Sequence, residues 1–460
     1  MQNQSNYSKI CAPYQDALMN SLKEFIAINS VYDPSTVSDV NPFGEGVSKA
    51  LDYIARLAKR DGFEVINHAN KVVEILVGSG EKNITIMAHA DVVPAGTGWE
   101  HDPFTLVDNK GVLTARGVAD DKGPLLATYY ALKALRDNKL LGNYQVRFLV
   151  GGNEENGSLC MEYFFHTLKK KQPTLGFSPD SDFPLIFAEK GILNFEVKKK
   201  INCPGLISFK GGLAFNAVIE ECTAQCEINH ELIAFIQEFY PDCKILTKDD
   251  VTSITFYGKA AHGSTPELGE NAGLKAIKAL GTFYKNHDLL SFYEKYKDFY
   301  GKGINAYNES NEMGKNSLNV GLVSLENNEF SATINFRYVD TCDNKNLLKD
   351  IKVASKPFSV KKTSTSPLLY YPKDSLLIST LLKAYQDETG DVESKPLAIG
   401  GGTYAKEANN VVAFGMQFPG FESYMHSNKE VTLKKDLFKA MDIYARAIVY
   451  LGEVLDANKI

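Results

Sequence analysis

Adjacent acids occur twice in this chain with glycines close by: Asp120–Asp121 in "RGVADDKGP" and Glu154–Glu155 in "GGNEENGS". His89 and Asp91 stand two apart in "AHADVVP", Asp180 lies in "FSPDSDFP", and His426 lies in "GFESYMHSNKE". Each has an ordinary explanation when taken alone. Asp121 suits a helix N-cap, Glu154–Glu155 a helix start, and a single histidine a satisfied core position. As a set they suit metal chemistry. Nitrogen and oxygen donors without a thiolate fit catalytic Zn²⁺, Mn²⁺ or Co²⁺ better than a structural zinc. Asp91 shares a strand face with His89, where a carboxylate can orient a metal-bound imidazole. Carboxylates in excess of one ion's needs suit two ions, which at ~3.5–4 Å share a water and lower its pKa toward neutrality. One glutamate of the 154–155 pair then binds metal while the other takes the water's proton.

The elements that must position these residues read as an α/β layer. "KVVEILVGSG" and "KNITIMAHADVVP" are apolar runs of strand type, and the second stays apolar on both faces up to His89, as a central strand does. Helical spacing is expected over 17–31, 45–61 with Gly62 as its stop, and 122–138, followed by a strand at 144–150. Glu154–Glu155 therefore fall at a strand's C-terminal end, the edge where open α/β sheets bind ligands. Flexible backbone is expected around them from the flanking glycines. The helix after them is "SLCMEYFFHTLKKK". Residues 192–365 alternate as half-exposed strands around one helix, which predicts an α+β domain inserted into the first. "VVAFGMQFPG" then reads as a buried strand and 433–456 as a closing helix. The expected fold is α/β: a catalytic domain, 1–191 and 366–460, with a mixed, mostly parallel sheet between helices, and an inserted α+β lid over 192–365.

At 460 residues, 44% hydrophobic and 23% charged, with net charge −6, the chain has ordinary globular composition and no basic stripe. Nucleic acid is not expected as a partner. The polar start, the absence of a long apolar run and seven scattered cysteines predict a cytoplasmic protein with reduced thiols and no membrane partner.

"HADVVPAGTGWEHDPF", "RGVADDKG", "GGNEENGS", "SPDSDFP" and "FPGFESYMHSNKE" occur in the order found in dinuclear metallopeptidases of the aminoacylase/carboxypeptidase G type. The sequence resembles most the bacterial dipeptidase PepV branch, of carnosinase-like kind. That resemblance implies two divalent ions per chain, zinc first with manganese or cobalt as alternatives. It implies one ion held by His89, Asp120 and Asp180 and the other by Asp120, Glu155 and His426. Asp91 would orient His89, Glu154 would be the general base, and the Asp120–Asp121 bond would be cis. His262 in "GKAAHGS" and Asn216 in "GGLAFNAV" match lid positions near the scissile carbonyl oxygen. Arg337, which by alternation alone could face outward from its strand, matches the clamp on the substrate's carboxylate, with Gly401, Gly402 and Thr403 of "IGGGTYAKE" beside the same group. The implied activity is hydrolysis of unblocked dipeptides by a monomer, with Asp91 or Asp121 as candidates to meet the free amine. The alternatives are an N-acyl-amino-acid deacylase or carboxypeptidase of the same superfamily, or an inactive binding protein that has kept the fold.

Overall fold

The computed structural model describes residues 6–457. It divides into two units: one comprises the chain up to Ala188, Tyr371–Leu397 and the chain from Thr403; the other comprises Glu189–Tyr370 and Ala398–Gly402. These boundaries lie a few residues from 191 and 366, and the short run 398–402 goes with the second unit. The Lys190 amide donates to the Ile399 carbonyl and Arg337 Nη1 to the Gly400 carbonyl, which ties that run to strands of its own unit.

The first unit is built on a six-stranded sheet: β1 (Glu64–His68), β2 (Val72–Val77), β3 (Asn83–His89), β4 (Gln145–Gly151), β5 (Leu175–Ser178) and β6 (Val411–Ala413). Its order is β1-β2-β4-β3-β5-β6. β3, β4, β5 and β6 run parallel, while β1 and β2 pair antiparallel at one edge. Every residue of β3 is buried, which is why Ile84, Ile86, Met87 and Ala88 put apolar side chains on both its faces; the polar Asn83 and Thr85 bond to each other near its start. The helices Lys122–Asp137 and Lys434–Asp456 bury most of their length. Phe177 of β5 stacks on Tyr444 of the latter at 5.6 Å between ring centroids. Parallel strands end on one edge, so His89, Gly151 and Ser178, and the loops that follow them, come out together.

The sequence reading missed β1, which is mostly polar and sits at the sheet edge. "VVAFGMQFPG" is not one strand: Val411–Ala413 joins the six-stranded sheet and Met416–Gln417 pairs with Ser181–Asp182. The expected helix after Glu155 is a short α-helical turn, Leu159–Glu162, continued by a π-helical one, Tyr163–Thr167.

The second unit is α+β, with an eight-stranded sheet that is antiparallel throughout. Strands Glu221–Glu227 and Val251–Tyr257 alternate buried and more exposed residues, as a sheet with one covered face requires. Their inward residues, with Phe195, Phe209 and Ile334, pack against Ile277 of the helix Ala272–Phe283 and Phe292 of the helix His287–Tyr296.

Candidate functional site

In the first unit the strand ends bring His89, Asp120, Glu154, Glu155, Asp180 and His426 to one place. Asp120 stands between the two imidazoles: His89 Nε2 is 3.0 Å from Asp120 Oδ1, and His426 Nε2 is 2.9 Å from Asp120 Oδ2. Asp180 Oδ2 lies 3.5 Å from His89 Nε2, and Glu155 Oε1 lies 3.4 Å from His426 Nε2. Candidate ligand atoms of His89, Glu154 and Asp180 lie within 4.8 Å of one another, as do those of His89, Asp120 and Glu155. The Asp120–Asp121 peptide is cis.

The side chains that hold this constellation do not all act as their types suggest. His89 Nδ1 donates to the main-chain carbonyl of Asp91 at 2.9 Å, while the Asp91 carboxylate is 3.5 Å from the ring. That carboxylate instead accepts from the amides of Glu154 and Glu155, both at 3.1 Å, and so fixes the turn that aims the two glutamates. Asp121 stands at the N-cap position of the helix Lys122–Asp137 but makes no cap bond; its carboxylate accepts from the His89 amide at 3.0 Å. Asp91 and Asp121 are both buried; both Asp91 oxygens accept from main-chain amides, whereas Asp121 uses Oδ2 for the His89 amide and leaves Oδ1 without a partner of good geometry. The glycines before the glutamates serve close packing rather than flexibility. A Cβ on Gly151 would fall 2.2 Å from the Tyr404 hydroxyl, and one on Gly152 would fall 2.6 Å from Val47 Cγ1.

In the second unit, His262, Asn216 and Arg337 belong to one neighbourhood. Ala217 and His262 form an antiparallel bridge, and the Gly263 amide donates to the Asn216 carbonyl at 2.7 Å. His262 Nδ1 lies 2.6 Å from Ser264 Oγ. Arg337 is buried, not an outward sheet arginine. It donates to Asn335 Oδ1 at 3.0 Å and to the Gly400 carbonyl at 2.5 Å, with His262 Nε2 at 3.5 Å. Among the described residues, no carboxylate pairs with it. Burial alone pushes its guanidinium down to about 10. Gly401 and Gly402 follow in the same unit, while the Thr403 hydroxyl accepts from the Ala405 amide and caps the turn Tyr404–Glu407 of the first.

A model of peptidase family M20/M25/M40 matches residues 85–450. The chain belongs to that family. It is 34% identical over 462 residues to a Staphylococcus haemolyticus protein provisionally named a dipeptidase, covering 95% of this chain and 97% of that one. A Staphylococcus aureus protein with the same provisional name is likewise 34% identical over 461 residues, covering 95% of this chain and 97% of that one. The fold is similar to that of human carnosine dipeptidase 1 at 16% identity and a TM-score of 0.58, covering 97% of this chain and 99% of that one. It is similar also to the di-peptidase Dug1p of Saccharomyces cerevisiae at 15% identity and a TM-score of 0.59, covering 97% and 98%.

Membership of this peptidase family implies divalent metal ions, and the residues present fit them. Ligands at 2.0–2.1 Å in a tetrahedral shell stand about 3.3 Å apart, close to the 2.9–3.5 Å separations around Asp120. His89 Nε2 and Glu155 Oε1 are buried atoms without a hydrogen-bond partner of good geometry, as donors awaiting a cation are. The electrostatics agree. Burial, then the charge of Asp180, pushes Glu154 well above the carboxylate range, and burial with Asp120 pushes Glu155 up to about 7. Burial disfavours a charged imidazole at His89 and His426, yet the acids beside them outweigh it; Asp120 and Glu155 hold His426 up at about 11. So many acids in one buried place are stable as anions only beside added positive charge.

Residues outside the predicted set complete the support. Tyr404 sets its ring edge-on to His89 at 6.0 Å and its hydroxyl 2.9 Å from Cys160 Sγ. Glu430, four residues after His426, is fully buried against Arg116 and the amides of Ala119 and Asp120. An acid closing the "MHSNKE" motif was the available signal for it.

No helix of the described residues is long and apolar enough to cross a membrane.

Proposed function

We propose that the chain is a two-metal dipeptidase that hydrolyses unblocked dipeptides. The observation that supports this most is Asp120 with one carboxylate oxygen toward each imidazole, the arrangement a bridging ligand needs. His89, Asp120 and Asp180 would hold one ion, and Asp120, Glu155 and His426 the other. Bound there, divalent ions supply Lewis acidity toward a peptide carbonyl and acidity to a water. Zinc is the first candidate, with manganese and cobalt as alternatives.

Glu154 takes the proton of the attacking water and passes it to the leaving amine. Burial, then the charge of Asp180, raises its carboxyl well above the ordinary carboxylate range, as perturbed groups at functional sites are. The second unit offers a receptor for the substrate's C-terminal carboxylate: Arg337, a buried guanidinium without a carboxylate partner among the described residues, and the backbone of Gly401 and Gly402, with Thr403 next in the chain. His262 donates to the carbonyl oxygen as it gains charge, and Asn216 stands beside it in the same loop pair. A cytoplasmic monomer is the setting of this reading.

The test is hydrolysis of a panel by metal-stripped protein refilled with Zn²⁺, Mn²⁺ or Co²⁺. The panel holds a dipeptide, the matching tripeptide, an N-acetyl amino acid and an N-blocked dipeptide. Metal-dependent cleavage of the free dipeptide alone is the expected result. Preference for the acetylated compound would make the chain a deacylase, and inertness with every ion would make it a binding protein.

A further inference from the structure

Arg116 and Glu430 form a buried pair beside the candidate ligands that the proposed reaction does not itself use. Glu430 Oε2 accepts from Arg116 Nη1 at 2.6 Å, with both side chains at most 1% exposed. Its other oxygen accepts from two consecutive amides, Ala119 at 2.9 Å and Asp120 at 3.2 Å. Arg116 Nη2 reaches the carbonyls of Pro94 and Ala95 at 3.3 and 3.5 Å, in the loop that follows Asp91. One carboxylate thus ties together three loops that carry candidate ligands or their supports: 90–95, 116–121 and 423–430. Among the described residues no main-chain hydrogen bond joins Asp120 to His426; the two meet through their side chains, His426 Nε2 lying 2.9 Å from Asp120 Oδ2. A buried ion pair is a poor source of stability, because desolvation offsets most of its attraction. What Glu430 does supply is acceptors for two amides that would otherwise be buried without partners in the cis-peptide loop.

We infer that Glu430 is a positioning residue: by gripping the Ala119 and Asp120 amides and closing on Arg116, it fixes the bridging carboxylate relative to His426 and so sets the affinity for the ion they share. This rests on the two-metal reading. Supporting partners of metal ligands typically change affinity or activity 10–100-fold on removal.

Two double variants separate positioning from mere stability. Glu430→Leu with Arg116→Met removes both charges and the amide acceptor. Glu430→Gln with Arg116→Met removes both charges and keeps an oxygen for the amides. Neither leaves one member of the Arg116–Glu430 pair charged without the other, and Lys122 keeps its bonds to the Phe25 and Ile28 carbonyls, so both should fold, as circular dichroism and thermal melting will report. Zinc affinity by competition with a chromophoric chelator, and kcat and KM on a dipeptide, are then measured. The leucine variant should lose about 10–100-fold in affinity for one of its two ions and in kcat, with KM nearly unchanged, while the glutamine variant recovers most of both. Equal affinity and kcat in the two variants would overturn the proposal. Should the leucine variant fail to fold, Glu430→Asp withdraws the carboxylate by one methylene and must show the same loss; wild-type affinity there overturns it equally. A wild-type chain that binds no metal would instead refute the reading beneath, which the same titration reveals first.

Discussion

Replacing Arg337 by methionine sets two effects of opposite sign against each other. The guanidinium is 3% exposed and has no carboxylate partner among the described residues. Its descent from 12.5 to about 10, caused by burial alone, corresponds to about 3 kcal/mol against the charged form. Methionine removes that term and leaves the Asn335 side-chain oxygen and Gly400 carbonyl without this donor, at ~1 kcal/mol each. The ligand-free variant should therefore melt within about 4 °C of wild type. Catalysis should suffer far more. A two-pronged, charge-assisted pair with a substrate carboxylate is worth ~3–4 kcal/mol, or ~10²–10³ in kcat/KM. The assay compares a dipeptide with its C-terminal amide. Wild type should strongly prefer the free acid, and Arg337→Met should erase that preference by losing activity on the acid alone. An equal loss on acid and amide, or a collapse of the melting temperature, would mean that Arg337 braces its sheet and reads no carboxylate.

Glu154→Gln should lower kcat ~10²–10⁴-fold while retaining both ions, measured by elemental analysis, whereas Glu155→Gln should lose metal. The opposite pattern would exchange their roles. Dialysis against a chelator should abolish activity and lower the melting temperature, and readdition at about a hundredfold excess over Kd should restore ~2.7 kcal/mol; an unchanged melt would place the metal elsewhere. Asp442, in the closing helix Lys434–Asp456, is 4% exposed and is pushed up to about 6 by burial and then by the charge of Glu388. A carboxyl whose folded value is raised destabilises the fold once ionised: the penalty is absent below the unfolded value of 3.8, grows as pH rises to about 6, and is constant above. Asp442→Asn should therefore raise the melting temperature at pH ~7.5 and not at pH ~3.5. A gain of the same size at both would refute the assignment.

The gathering of the candidate ligands was legible because strand ends carry sequence signals. An apolar run closing on His89, and another closing just before Glu154, need only the rule that central parallel strands are apolar on both faces to place both residues at one sheet edge. The carboxylate of Asp91 was not legible. Its spacing from His89 is right for an imidazole–carboxylate pair, but the main-chain carbonyl of the same residue takes that bond and the carboxylate turns to two amides. Residue types announce side-chain donors and acceptors; every residue carries a main-chain pair as well, and that competition leaves no mark in a sequence. Glu430 escaped notice for a related reason. Its partners are an arginine 314 positions away and two amides, none of which a local pattern could pair with it.

Arg337 marks where periodicity stops deciding. The strand Glu329–Tyr338 begins as an alternation and ends with its last five residues buried, Phe336 and Tyr338 on one face and Arg337 on the other. An alternating pattern predicts that one face meets the core and the other water. Where both faces are covered, the polar member of the alternation is left in the interior, and its charge needs a partner that the described residues do not supply. Only its resemblance to a carboxylate clamp distinguished it in the sequence. In the structure, burial without a counter-ion makes the same argument independently, so the anion Arg337 needs is the more testable half of the proposed substrate.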